Sequence, residues 1–177
     1  MHVICFGDSN TWGYDPRSWL GERYEADSRW VDILAARTGW AVRNQGQNGR
    51  TIPCTAPVFP EDTDLLIVML GTNDLLQGHT PQDTAGRMEH LLTGINLARK
   101  KLLLIAPAPV TFGTWVQEQQ LIDRSHAFAQ CCRVLAEQLG IPFANAGDWD
   151  IPLSYDGVHF TAQGHRAFAA GLLEVFK

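Results

Sequence analysis

The feature that most constrains the fold is the segment at residues 64–70, Asp-Leu-Leu-Ile-Val-Met-Leu, in which a continuous apolar run follows Asp64 and ends at Gly71. A short run without polar alternation is typical of a strand that is covered on both faces, since both faces of such a strand are apolar. Strands of this kind lie at the centre of parallel sheets. The run therefore predicts a central parallel strand with helices packed on both sides.

Strands and helices alternate along the rest of the chain. Polar caps and glycine stops bound the helices: Thr80 precedes Pro81 at one start, and Gly140 ends a periodic apolar stripe. This alternation predicts a three-layer α/β/α sandwich with a central parallel sheet, in one domain that spans residues 1–177. The further strands are predicted at residues 2–6, 41–44, 102–106 and 141–145, and the helices at residues 29–38, 80–100, 121–139 and 161–176.

Composition and charge exclude several classes of protein. A chain of 177 residues with 45% hydrophobic residues is long enough to build one sizeable core. Its formal net charge of −5 argues against a general nucleic-acid binder, which usually carries a basic stripe. No apolar run reaches the ~18 residues of a transmembrane helix, and the first residues lack the pattern of a secretory signal. We therefore expect a cytoplasmic protein with no membrane partner.

Cysteine and histidine spacing gives no sign of a metal site. None of the four cysteines forms a Cys-x-x-Cys pair, and no histidine has metal-ligand spacing to nearby acids. We expect free thiols, no metal and no other cofactor.

Four polar or glycine-rich loops are predicted to meet at one edge of the sheet. In parallel α/β sheets, ligands bind beyond the carboxyl ends of the strands. The loops that follow the strands at this edge cover residues 7–11, 45–51, 71–74 and 148–160. Candidate functional side chains are therefore sought in these four segments.

Ser9 and His159 are the candidate reactive side chains. Ser9 lies on a Gly-Asp-Ser-Asn turn directly after the first strand, where backbone N–H groups can face an anion, as acyl transfer requires. Asp156 precedes His159 by three residues, so its carboxylate can bind Nδ1 and leave Nε2 to take a hydroxyl proton. Taken alone, either feature also fits an ordinary turn or a surface loop.

Four further residues are candidates for contacts with a substrate. The Gly49 N–H and the Asn73 side-chain amide can donate to an anion, although turns favour the same residue types. Trp12 beside the nucleophile turn and Arg50 on the second loop are candidate substrate-binding residues. Core packing for Trp12 and a solvated position for Arg50 are the alternatives.

These segments together resemble the SGNH, or GDSL-like, hydrolase family. The four sequence blocks of that family appear in order at residues 7–9, 48–49, 71–74 and 156–159. The resemblance spans nearly the whole chain. It implies the flavodoxin-like fold of SGNH hydrolases.

The resemblance also implies a role for each matching residue. Ser9 corresponds to the nucleophile, His159 to the base and Asp156 to the acid that orients it. The oxyanion hole corresponds to the Ser9 N–H, the Gly49 N–H and the Asn73 side chain.

A narrower resemblance points to the arylesterase and acyltransferase branch, on residues 7–14, 21–24, 29–30 and 48–51. That branch carries a longer insertion after its Gly-Arg-Thr segment than this chain does. The expected function is a serine esterase that hydrolyses short-chain, acetyl-like esters of small, aryl or sugar alcohols through an acyl-enzyme. Aromatic residues such as Phe112 and Trp115 offer flat walls for such alcohols.

Other functions remain open from the sequence. The hydroxyl-rich loop at residues 9–11 also suits a flavodoxin-like module that binds FMN or a nucleotide, although such a cradle has no need of the Asp156–His159 pair. A lysophospholipase or thioesterase of the same fold, or a catalytically inactive binding module, is a further alternative. The choice between hydrolysis and acyl transfer, and any homo-oligomer, also stay open.

Overall fold

A computed structural model describes residues 1–177 as five strands and six α-helices, with three short 3-10 helices between them. None of the helices combines the length and the apolar character that crossing a bilayer requires. The strands are β1 (His2–Gly7), β2 (Ala41–Gly46), β3 (Leu65–Met69), β4 (Leu102–Ala106) and β5 (Phe143–Asn145). The helices are α1 (Ser9–Trp12), α2 (Trp30–Thr38), α3 (Thr72–Leu76), α4 (Pro81–Gly94), α5 (Gln119–Leu139) and α6 (Ala162–Val175).

The strands form one parallel sheet in the order β2-β1-β3-β4-β5. The apolar run at residues 64–70 supplies β3, which lies at the centre with every residue buried. The edge strand β2 alternates exposed and half-buried residues over its first four positions. The prediction of a central parallel strand is therefore confirmed.

Helices cover both faces of the sheet. Because neighbouring residues of a strand point to opposite faces, Phe6 and Leu66 join the core with α4 and α5, whereas Cys5 and Ile67 join the core with α2 and α6. The result is the predicted three-layer α/β/α sandwich, and it leaves the carboxyl ends of the strands at one open edge.

The helix predicted at residues 80–100 ends early. Its start is as expected, because the Thr80 side chain accepts a hydrogen bond from the Asp83 N–H. It stops at Gly94, after which Ile95 is extended with φ −68° and ψ 132°. Ile95 and Leu97 are both buried around an exposed residue, and this two-residue period of burial suits extended chain rather than a helix.

Two short helices replace segments that were predicted as loops. The helix α1 begins at Ser9 immediately after β1, and Asp8 caps it. The helix α3 begins at Thr72 directly after Gly71, whose φ of 120° is a conformation that favours glycine. Both helices therefore point their first turns at the open edge of the sheet.

Candidate active site

Three side chains from distant parts of the sequence form a hydrogen-bonded chain at the carboxyl edge of the sheet. The Ser9 Oγ lies 3.0 Å from His159 Nε2, and His159 Nδ1 lies 2.7 Å from Asp156 Oδ2. All three residues are buried. When Nδ1–H donates to the carboxylate, Nε2 is left as an acceptor for the hydroxyl proton of Ser9. This arrangement can activate a serine hydroxyl as a nucleophile.

Asp156 is held as a carboxylate. Its Oδ1 accepts hydrogen bonds from the Val158 and His159 N–H groups, each at 2.9 Å. Burial opposes ionisation of Asp156, but the hydrogen bonds from the His159 ring and from the two backbone groups keep its pKa below the ordinary value. A negative charge therefore faces His159 Nδ1 at neutral pH.

Asn10 fastens the loop that carries His159 to the turn that carries the serine. Its Nδ2 donates to the Val158 carbonyl at 3.1 Å, and its Oδ1 accepts from the Phe160 N–H at 2.9 Å. These two bonds lie on either side of His159 along the chain. Asn10 was not singled out from the sequence, although an amide directly after Ser9 is well placed to bind neighbouring backbone.

Two of the predicted anion donors have N–H groups that no protein atom uses. Asn73 Nδ2 donates one hydrogen to the Arg50 carbonyl at 3.0 Å, which leaves the other without a protein acceptor. The Gly49 N–H has no protein acceptor, and its φ of 71° is left-handed. That conformation explains why glycine stands there. Both groups are available to an anion.

Asp74 joins the two loops that carry these donors. Its side chain is fully buried, and Oδ2 accepts from the Ile52 N–H at 3.0 Å. Oδ1 accepts from Arg87 Nη1 of α4 at 2.7 Å. This buried carboxylate, which was not singled out from the sequence, ties the glycine loop to the first turn of α3.

Asp8 lies directly before the serine and is also buried. Its Oδ1 accepts from the Asn10 N–H at 3.0 Å and so caps α1. Burial raises the pKa of Asp8 to about 6, although the Asn10 N–H and the nearby His159 and Arg50 side chains act in the opposite direction. Asp8 is thus largely ionised only above that pH.

Aromatic rings flank the His159 imidazole. The Tyr14 ring centroid lies 4.7 Å from that of His159, and the Trp115 centroid lies 5.1 Å from it, both edge to face. Trp115 is 56% exposed. The backbone N–H of Trp115 donates to the Asp156 carbonyl at 3.2 Å, which ties this part of the chain to the loop that carries His159.

The two predicted substrate-binding residues contact the protein itself. The Trp12 ring lies 5.1 Å from the Arg23 guanidinium carbon, and the Trp12 carbonyl accepts from Arg23 Nε at 2.6 Å. The Arg50 guanidinium donates to protein acceptors as well, among them the Gly7 carbonyl at 2.9 Å and the Gln45 carbonyl. The ring that contacts His159 from the segment after β1 is therefore that of Tyr14 and not that of Trp12. The Arg50 guanidinium forms its hydrogen bonds within the protein.

A large cavity lies away from the candidate active site. That cavity, of about 690 Å³, opens between α2 and α6, is lined in part by Trp40 and Phe176, and includes none of the three hydrogen-bonded residues. No group of three or more His, Cys, Asp or Glu side chains is placed to hold a metal ion.

Comparisons with known proteins identify a matching family and several similar structures. The chain matches the GDSL-like Lipase/Acylhydrolase family over residues 5–167. It is 24% identical over 207 residues to the GDSL esterase/lipase CPRD49 of Arabidopsis thaliana, covering 99% of this chain and 78% of that protein. The native aryl esterase of M. smegmatis is 30% identical, with a TM-score of 0.80 and coverage of 98% and 96% of the two chains. A carbohydrate acetylesterase family member from Sinorhizobium meliloti is 25% identical, with a TM-score of 0.83 and coverage of 99% and 96%.

Proposed function

The chain belongs to the GDSL-like lipase/acylhydrolase family and is a serine carboxylic ester hydrolase, and we propose that it hydrolyses short-chain esters through an acyl-enzyme on Ser9. The observation that carries this proposal is the continuous hydrogen-bonded chain from the Ser9 hydroxyl through His159 to the Asp156 carboxylate. An FMN or nucleotide cradle has no use for such a chain.

In the first half of the proposed reaction, Ser9 Oγ attacks the ester carbonyl carbon while His159 Nε2 takes the hydroxyl proton. The Asp156 carboxylate stabilises the imidazolium that forms. The tetrahedral intermediate then breaks its bond to the alcohol oxygen, which receives the proton from Nε2. The products of this half are the free alcohol and an ester between the acyl group and Ser9.

In the second half, water attacks the acyl carbon and gives a proton to His159 Nε2. The bond between the acyl carbon and Ser9 Oγ then breaks, and Oγ recovers the proton from the imidazolium. The carboxylic acid leaves, and the enzyme returns to its starting state. The same base therefore serves both halves.

The oxyanion hole in this proposal consists of the Ser9 N–H, the Gly49 N–H and the Asn73 amide. Donors of this kind act on the negative charge that develops only when the carbonyl becomes tetrahedral. The free N–H groups of Gly49 and Asn73 support the assignment.

The alcohol side of the substrate is assigned to the aromatic rings. Because His159 protonates the leaving alcohol, that alcohol lies beside Nε2 and within reach of Tyr14 and Trp115. Flat rings suit an aryl group or the face of a sugar. The aryl esterase and carbohydrate acetylesterase among the similar structures support this choice.

A short acyl group is proposed because little apolar surface is offered to a long one. Burying a methylene contributes ~0.8 kcal/mol, so a fatty chain needs an extended apolar trough. Residues 51–63 contain no helix or strand, and three prolines stiffen them: Pro53, Pro57 and Pro60. This segment is poorly suited to form a helical lid over such a trough.

The test of the nucleophile is covalent labelling with a fluorophosphonate, read by intact mass. Wild type and the control Ser18→Ala are expected to gain one label each, whereas Ser9→Ala gains none. Ser9→Ala that labels as fully as wild type would contradict the assignment.

The test of acyl length is kcat/KM across p-nitrophenyl esters from acetate upward. We expect an optimum at about two to four acyl carbons, followed by a decline as the chain meets a closed pocket or stays in water. An optimum at about eight carbons or more would instead indicate a lipid substrate.

We also propose that residues 1–177 form a single domain, since both helical layers pack on the one sheet. Urea unfolding followed by tryptophan fluorescence and by far-ultraviolet circular dichroism is expected to give coincident single transitions. Two separate transitions would contradict a single domain.

A further inference from the structure

We propose that Arg50 is a positioning residue for the oxyanion donors and does not bind substrate, an inference that rests on the proposed esterase function. Its guanidinium joins the carboxyl ends of two strands. Nη1 donates to the Gly7 carbonyl of β1 at 2.9 Å and also to the Gln45 carbonyl of β2, and Nη2 donates to Gln47 Oε1 at 2.9 Å. One side chain thus links the strand that leads into Ser9 with the start of the glycine loop.

Contact with an aromatic ring and partial burial restrict the position of the Arg50 guanidinium. The Arg50 guanidinium carbon lies 4.4 Å from the centroid of the Phe6 ring, and Phe6 itself is buried in the core. Arg50 is half-buried, and its positive charge acts on Asp8, the residue before the nucleophile. The guanidinium therefore packs against the core through the Phe6 ring.

The backbone of Arg50 connects the two donors. It follows Gly49 directly, and its carbonyl accepts the hydrogen bond from Asn73 Nδ2 at 3.0 Å. Two residues later, the Ile52 N–H donates to Asp74 at 3.0 Å, which holds the other end of the same segment. A shift of Arg50 would therefore move the Gly49 N–H and turn the Asn73 amide together.

Only a planar fork can make these contacts at once. Arginine presents several N–H donors in one plane and stacks on aromatic faces, whereas lysine offers a single ammonium on a flexible stem. Lysine at position 50 keeps the charge but loses some of these hydrogen bonds and the contact with Phe6. Glutamine at this position loses both the charge and most of the hydrogen bonds.

The experiment compares Arg50→Gln and Arg50→Lys with the control Arg43→Gln, which removes an exposed arginine of β2. For each folded variant, kcat and KM are measured with p-nitrophenyl acetate, together with the affinity for a phenylboronic acid that forms a tetrahedral adduct on serine. We expect Arg50→Gln to lower kcat about 10- to 100-fold, because small displacements of catalytic donors cost this much, with KM within about twofold of wild type. Boronate affinity should fall by a similar factor, Arg50→Lys should lie between, and the control should match wild type.

Other outcomes would overturn the inference. A raised KM with unchanged kcat would show that Arg50 contacts the substrate. Wild-type kcat and KM would show that the hydrogen bonds of the Arg50 guanidinium are not needed for turnover. If Arg50→Gln does not fold, Arg50→Lys decides by the same split between kcat and KM. If wild-type Ser9 is labelled by the fluorophosphonate and the Arg50 variants have wild-type kcat and KM, this inference alone is rejected. If Ser9 in wild type is not labelled, the proposed function itself is rejected.

Discussion

Two histidines six positions apart, His159 and His165, are both buried against aromatic rings, but the hydrogen bonds of their ring nitrogens differ. Both ring nitrogens of His159 are hydrogen-bonded, one to Asp156 and one to Ser9. Neither ring nitrogen of His165 has a partner in the protein. The loop at residues 154–160 thus presents a paired imidazole, whereas the first turn of α6 encloses an unpaired one.

Burial has a different consequence where no partner is provided. The His165 ring packs between Tyr24 and Phe160, each at 5.3 Å between centroids. Burial, together with the smaller effects of the nearby Arg29 and His159 side chains, lowers its pKa to about 3. The comparison teaches that chemistry at a buried histidine depends on the acceptor and donor placed at its two nitrogens. Burial alone only keeps the ring neutral.

The largest expected effect is on turnover and separates the two histidines directly. His159→Ala removes the proposed base, and we expect kcat to fall by about 10⁵-fold or more. His165→Leu fills a similar volume, and its kcat is expected to stay within about twofold of wild type. The measurement is kcat with p-nitrophenyl acetate on both folded variants, and equal losses would break the comparison.

The partner of the paired histidine is expected to matter somewhat less than the histidine. In the proposed mechanism Asp156 orients the ring and stabilises its charged form but does not take the proton, so Asp156→Ala should lower kcat by about 10⁴-fold. Circular dichroism establishes that both variants fold. A larger loss in Asp156→Ala than in His159→Ala would reverse the proposed roles.

Two asparagines extend the comparison to amide groups. Asn73 keeps one N–H without a protein acceptor and is the proposed oxyanion donor, whereas the Asn96 amide bonds to the Phe59 backbone at 2.8 and 2.9 Å. Asn73→Ala should therefore lower kcat ~10²–10³-fold with little change in KM. Asn96→Ala should leave kcat unchanged and lower stability by about 1–3 kcal/mol. A near-normal kcat in Asn73→Ala would mark Asn73 as a turn residue.

The unpaired His165 is expected to make the free energy of unfolding depend on pH in the acid range. In the unfolded chain its pKa is near 6.5, whereas in the folded protein it is about 3, so the unfolded state takes up a proton first as the pH falls. The free energy of unfolding is therefore unaffected by His165 above pH ~6.5. Between pH ~6.5 and pH ~3 it falls by about 1.4 kcal/mol for each pH unit.

Urea unfolding at pH 7.5 and pH 4.5 measures this loss. Part of the acid destabilisation of wild type, up to about 3 kcal/mol, should disappear in His165→Leu. Groups such as Asp8 titrate in both proteins and drop out of the difference. An identical pH dependence in the two proteins would show that His165 is not protonated on unfolding in this range.

The smallest expected effect concerns the exposed ring beside His159. An aromatic contact contributes about 0.5–1.5 kcal/mol, so Trp115→Ala should lower kcat/KM for phenyl acetate by about 2- to 10-fold. Ethyl acetate, which lacks a flat alcohol, should be affected less, and the control Trp19→Ala should resemble wild type with both esters. Equal losses for the two esters would place the alcohol elsewhere.

Much of the fold could be predicted because burial leaves a local pattern in the sequence. The uninterrupted apolar run at residues 64–70 marked the central strand, and Thr80 marked a helix start through its capping geometry. The end of that helix was misplaced because Ile95 and Leu97 suit either a helix or an extended segment until the neighbouring core is known. The turns α1 and α3 are too short for any periodicity to show.

The sequence by itself determined which residue types stand at the ends of the strands, including Ser9, Asn73 and the Asp156–His159 pair. It did so because the spacing of polar groups after apolar runs is a local property. Only the tertiary structure decided that Asn10 brackets His159, that Tyr14 rather than Trp12 flanks the imidazole, and how the Arg50 fork is used. These contacts join segments far apart in the chain, so they depend on how the sheet aligns its loops at one edge and not on any pattern within a loop.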